Sequence, residues 1–145
     1  MKTVFITGTD TDAGKTYVSG LLLTGFAALN IPAIGLKPIA AGADQDGQNA
    51  DAKLLQALSA IQLPYQKINP LLLQAPVAPH VAAAKEGINL DFSVLDQQLV
   101  DTSELPASIR IIEGAGGHVI KPRHRLPVGN HADHLVILVA HADRA

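Results

Sequence analysis

The stretch Thr3-Val4-Phe5-Ile6-Thr7-Gly8-Thr9-Asp10-Thr11-Asp12-Ala13-Gly14-Lys15-Thr16 decides how this chain is read. Residues 3–7 are β-branched or apolar, the composition of a buried strand. A polar, glycine-bounded loop follows, and from Lys15 to about Leu29 apolar residues recur at helical spacing. Val18, Leu21, Leu22 and Gly25 are expected on the inner face of that helix, and Asn30 and Pro32 close it. Strand, loop, Gly-Lys-Thr and helix form the context a phosphate loop requires. Successive backbone N–H groups make an anion cradle there, and the helix N-terminus reinforces it. Gly14 permits close backbone approach. Lys15 would reach the β- and γ-phosphates of a nucleotide, and Thr16 would offer its hydroxyl to Mg²⁺. Five residues separate Gly8 from Gly14, one more than in the common motif. The plain alternatives are a chance Gly-Lys-Thr at a helix start, or Thr9 and Asp10 acting only as helix caps.

Outward from this stretch, strands and helices alternate. A second strand is expected over 33–37, stopped by Pro38, and then a loop over 40–48. A helix is expected over 49–60 with Ala50, Leu54, Ala57 and Leu58 on its apolar face. Asn69-Pro70 and the prolines at 76 and 79 predict an irregular connector. Helices are expected over 81–85 and 92–100, and strands over 109–113 and 135–140. This alternation implies right-handed crossovers and a mainly parallel sheet. The expected fold is α/β, a three-layer sandwich of the P-loop NTPase kind. The 145 residues make one domain, with no internal repeat and no dividing linker.

Composition excludes several functions. The chain is 48% hydrophobic and 17% charged, enough for a core and unlike a disordered chain. The formal charge of −2 argues against a general nucleic-acid binder. With no cysteine, disulfides, thiolate metal sites and a Cys nucleophile are out. No apolar run approaches the ~20 residues of a membrane span. The opening residues 1–6 are too short for a signal peptide, so a soluble cytoplasmic protein with no membrane partner is the expectation.

A triphosphate site needs a metal, and Mg²⁺ prefers hard oxygen ligands. Ile109-Arg110-Ile111-Ile112-Glu113 is an apolar strand ending in an acid, followed by Gly114-Ala115-Gly116-Gly117. In open α/β sheets ligands gather at the carboxyl ends of strands, which would set Glu113 beside the phosphate loop. A solvent-facing strand-end acid is the bland alternative. Asp51 is a second candidate; alone it reads as an acid favoured by a helix start. Lys37 also ends a strand, before Pro38, and there it could hold an anionic intermediate. In isolation it reads as a surface lysine.

Taken together, five segments resemble the dethiobiotin synthetase family. They are residues 7–16, Lys37-Pro38-Ile39-Ala40-Ala41-Gly42, Asn49-Ala50-Asp51-Ala52, Asn69-Pro70 with Pro76-Val77-Ala78-Pro79-His80, and Glu113-Gly114-Ala115-Gly116-Gly117. Order and spacing match along residues 1 to about 117, and the long gap in the phosphate loop is normal for that family. The resemblance implies a ligase that takes 7,8-diaminopelargonate, CO₂ and ATP to dethiobiotin, ADP and phosphate. It implies Lys37 and Lys15 as catalytic lysines, and Thr16, Asp51 and Glu113 as the Mg²⁺ set. Asp12, Ala13, Gly14, Lys15, Thr16 and Tyr17 would wrap the phosphates. Asp51, Glu113, Gly114, Ala115 and Gly116 would complete the nucleotide site, with Thr11, Lys37 and Ala41 near the substrate. A homodimer is implied as well.

The chain departs from the family at a few places. Ala41 stands where the family commonly has Ser, and His118 where it usually has an aromatic residue. Family members are longer, so the frame is expected to be shortened at its C-terminal end. Five of the six histidines fall at 118, 124, 131, 134 and 141, and His131 and His134 are spaced to share a zinc ion if a helix holds them. Lys121, Arg123 and Arg125 read as a solvated basic loop. Three rivals follow: a related ATP-dependent amidoligase or ATPase, a short paralogue that binds nucleotide without turnover, and a zinc-binding module.

Overall fold

The computed structural model describes residues 1–90, 93–115 and 134–139. Along the chain run β1 (Lys2–Gly8), α1 (Lys15–Ala28), β2 (Ala33–Leu36), β3 (Ile39–Ala41), α2 (Ala50–Leu58), α3 (Tyr65–Ile68), β4 (Leu71–Leu73), α4 (Pro79–Glu86), α5 (Ser93–Ser103), β5 (Ile109–Glu113) and β6 (His134–Val139). Four strands form a parallel sheet in the order β2-β5-β1-β6. The first strand is therefore central, and both β1 and β5 end at the same edge. This is the parallel α/β arrangement of a P-loop NTPase-like fold.

Helices cover both faces. On one, α1 and α2 bring Leu23 and Leu55 against Val4, Ile6, Ala33 and Ile111. On the other, Ile68 of α3 and Leu99 of α5 pack with Phe5, Leu36 and Ile112. Strands buried on both faces read as near-continuous apolar runs, which is why residues 33–36 and 109–113 were legible. Gly35 lets the helices sit close on β2. A Cβ there would lie 2.9 Å from Leu23 Cδ1 and 3.1 Å from Leu55 Cβ, so the end of Leu23 would have to turn aside and Leu55 give by a few tenths of an ångström.

The structure corrects several local expectations. In α1 the buried positions are Lys15, Ser19, Gly20 and Leu23, with Val18 and Leu22 half-buried, whereas Leu21 and Gly25 are exposed. The helix is apolar nearly all round (Leu21, Leu22, Leu23, Phe26, Ala27, Ala28), so periodicity alone could not choose its face. In α2 the core takes Ala52 and Leu55; of the expected set only Leu58 is half-buried, and Ala50, Leu54 and Ala57 face solvent. The second strand stops at Leu36, one residue before Lys37. The expected loop over 40–48 begins as β3, which pairs in parallel with β4 inside the expected connector. Such three-residue strands carry too few side chains to show a period.

Candidate nucleotide and metal site

The loop between β1 and α1 has the backbone an anion cradle needs. Gly14 caps α1 with φ +92°, a left-handed conformation that favours glycine. No side chain caps that helix end, and its first turn holds no acid. Its free N–H groups and the positive end of the helix therefore remain open to an anion. Gly8 sits in tight space: a Cβ there would meet Lys15 Cγ at 3.0 Å, Ala13 Cβ at 3.1 Å and the Val139 carbonyl at 3.1 Å, each tighter than most such contacts. Lys15 is buried, and its Nζ donates to the carbonyls of Asp10 at 2.6 Å and Thr11 at 3.2 Å. Burial, and after it the charge of Lys37, lower its pKa from the ordinary lysine value.

The second half of the site is assembled from strand ends. Leu36 stands beside Ile112 and Ile6 beside Glu113 in the sheet, so Lys37 leaves β2 abreast of Glu113. Lys37 Nζ donates to Glu113 Oε1 at 2.5 Å and to Asp51 Oδ2 at 2.8 Å. Thr16 Oγ1 donates to the same Glu113 Oε1 at 2.7 Å. Burial alone would lower the Lys37 ammonium, but Glu113 and Asp51 outweigh it and hold its pKa above the ordinary lysine value. Lys37 is thus a buried ion-pair partner and not a surface lysine.

Glu113 is fully buried, and its Oε2 has no hydrogen-bond partner among the described residues. A buried carboxylate oxygen without a partner is costly unless something fills the gap. Two carboxylates and a hydroxyl are the kind of partial oxygen set Mg²⁺ takes when phosphates and waters complete its shell. The residues present therefore fit the metal. Among the described residues no three His, Cys, Asp or Glu side chains group for a metal ion.

Thr16, Lys37, Asp51 and Glu113 are thus brought together, with Lys15 alongside. Thr11, Asp12 and Tyr17 stand exposed on the loop and the first turn, and Ala13 is buried. Gly114 donates its N–H to the Ile6 carbonyl at 2.9 Å and carries the β5 ladder toward the loop; Ala115 follows, half-buried. Ala41 ends β3, half-buried. Gly116, His118, His124, His131 and His141, with Lys121, Arg123 and Arg125, lie outside the described residues, as does most of the expected zinc site. Sequence reasoning missed Tyr65, whose hydroxyl joins Asn49 to Asn69. Asn69 immediately before Pro70 was the one visible signal.

No helix among the described residues is long and apolar enough to cross a membrane. Residues 2–144 match the family described as the AAA domain. The protein named ATP-dependent dethiobiotin synthetase BioD in Vibrio vulnificus is 42% identical over 120 residues, which are 81% of this chain and 52% of that protein. Its namesake in Nitrosospira multiformis is 40% identical over 139 residues, 96% of this chain and 58% of that protein. In Vibrio cholerae the figures are 40% over 117 residues, 79% and 50%. The chain spans about half the length of the curated relatives it matches. It belongs to the AAA-domain family and is similar to proteins named ATP-dependent dethiobiotin synthetase.

Proposed function

We propose that this chain carries the Mg²⁺-ATP site of a dethiobiotin synthetase, a ligase that closes a cyclic urea on 7,8-diaminopelargonate. The observation that carries the reading is the convergence of Thr16, Lys37, Asp51 and Glu113 beside the phosphate loop. The names of the relatives support the same chemistry.

In this mechanism one substrate amine adds to CO₂ and loses a proton, which gives a carbamate. A carbamate oxygen attacks the γ-phosphorus of ATP, and the bond to ADP breaks. The second amine then attacks the carbonyl carbon and loses a proton, the bond to phosphate breaks with its electron pair leaving on the phosphate, and the ring closes. Each stage gathers negative charge, so cationic groups must already be in place. Lys15 would exchange the Asp10 and Thr11 carbonyls for phosphate oxygens, and the open α1 N-terminus would bind them from below. Lys37 would hold the carbamate against the γ-phosphate. Thr16, Asp51 and Glu113 would hold Mg²⁺, which when bound neutralises phosphate charge. Asp12 to Tyr17 and Glu113 to Gly116 would frame the nucleotide, with Thr11 and Ala41 on the substrate side. A homodimer working in the cytoplasm belongs to the same reading.

The test is product formation. The purified chain is incubated with Mg²⁺-ATP, bicarbonate and 7,8-diaminopelargonate, and dethiobiotin is sought by mass spectrometry with each component omitted in turn. Product that depends on all four is expected. ATP binding by a folded chain without product would replace the reading with nucleotide binding without turnover. Product from a different carboxylate and amine would favour a related amidoligase.

A further inference from the structure

The Lys37 peptide is clamped on both sides by one short segment. Its N–H donates to the Ile68 carbonyl at 3.0 Å, and its carbonyl accepts from Asn69 Nδ2 at 2.7 Å. Asn69 Nδ2 also donates to the Leu71 carbonyl at 3.2 Å. Its Oδ1 accepts from the Tyr65 hydroxyl at 3.0 Å. That hydroxyl in turn accepts the Asn49 N–H at 2.7 Å. Asn49 is the N-cap of α2: its Oδ1 accepts from the Ala52 N–H at 3.2 Å, and its Nδ2 donates to the Gly42 carbonyl at 3.0 Å. Asp51 lies in the first turn of that helix.

An unbroken path of hydrogen bonds therefore runs from the backbone of Lys37 through Asn69 and Tyr65 to the helix start that carries Asp51. None of these hydrogen bonds reaches the phosphate loop or Glu113. We propose that Tyr65 and Asn69 are positioning residues that hold Lys37 and Asp51 at their meeting distance; the proposal rests on the reading of those two groups as site residues. Asn69 suits the task because its amide is directional and buried, with both Nδ2 and Oδ1 used. Such a group left half-satisfied is expensive, so it specifies one arrangement. Pro70, next in sequence, keeps Asn69 out of the helical region and ends α3 at the required point.

The experiment compares two lysines of one site. Tyr65→Phe keeps the ring and removes the hydroxyl; Asn69→Ala removes the amide. Each folded variant is labelled with trinitrobenzenesulfonate, and the labels are located by peptide mass spectrometry. Labelling of Lys37 is expected to rise about tenfold, the scale set by an unpaired buried polar group, while labelling of Lys15 stays as in the wild type. ATP affinity measured without Mg²⁺ should hold, because the phosphate loop is untouched, while kcat for ring closure falls. Lys37 and Lys15 labels that rise together would mean general loosening and overturn the proposal, as would an unchanged Lys37 label in Tyr65→Phe. If Asn69→Ala does not fold, Tyr65→Phe decides alone. The labelling needs no nucleotide, so a wild-type chain that binds no ATP would overturn the proposed function and leave this comparison intact.

Discussion

In the phosphate loop, Lys15 bonds to carbonyls four and five residues before it. The cluster next to it is closed by bonds that span 14 residues from Lys37 to Asp51, 76 from Lys37 to Glu113 and 97 from Thr16 to Glu113. One half of the site is local and the other is assembled. The local half needs only a strand, a glycine-bounded turn and a helix start. The assembled half needs the strand order β2-β5-β1, because only adjacent parallel strands bring Lys37, Glu113 and the loop to one edge. The two halves should fail in different ways.

The largest expected effect separates them by function. Lys15→Ala should abolish measurable ATP binding, because on the proposed reading it removes the ammonium that would meet the phosphates. Lys37→Ala should largely spare ATP binding and block ring closure, with both read by calorimetry and product assay. Equal loss of affinity in the two variants would show the halves to be one unit.

Next in size is Glu113→Gln. It removes a fully buried charge and leaves the Lys37 ammonium with Asp51 as its charged partner. Breaking one partner of a buried pair costs about 3–5 kcal/mol, and the surviving Asp51 bond sets the expectation at the low end, about 3 kcal/mol by urea denaturation. The Mg²⁺ dependence of nucleotide binding should weaken in the same variant. Unchanged metal dependence would take Glu113 out of the metal set.

Gly8→Ala probes the local half through packing. The added Cβ would press on Lys15, Ala13 and the Val139 carbonyl, for a loss of about 1–3 kcal/mol in thermal or chemical unfolding. No loss would mean that the loop yields where its contacts are tightest. The smallest effect belongs to Lys53, which pairs with Asp44 at 2.9 Å and Asp46 at 3.5 Å on the surface. Lys53→Ala should leave the unfolding midpoint unchanged, since exposed pairs are screened. A clear drop would show that the turn over 44–48 braces the start of α2, and with it Asp51.

The same division explains what was legible beforehand. Gly8, Gly14, Lys15 and Thr16 announce themselves because spacing within one stretch encodes their geometry. Glu113 and Lys37 were visible as polar ends of apolar strands, but nothing in their neighbourhoods says that they touch. Tyr65 itself gives no signal beyond the neighbouring Asn69-Pro70, because its role lies in bonds to Asn49 and Asn69 across a turn. The buried faces of α1 and α2 are hidden in the sequence, because apolar residues surround α1 and Ala and Leu fill both sides of α2.

By itself the sequence determined the alternation of strands and helices, the phosphate loop and the acid that ends β5. These depend on residue type and near spacing, which local backbone energetics can read. Only the tertiary structure decided that β1 lies between β5 and β6, that Lys37 pairs with two carboxylates, and that one oxygen of Glu113 is buried without a partner. Those facts come from which strands lie side by side and how much water their packing excludes, and no short window of sequence contains either.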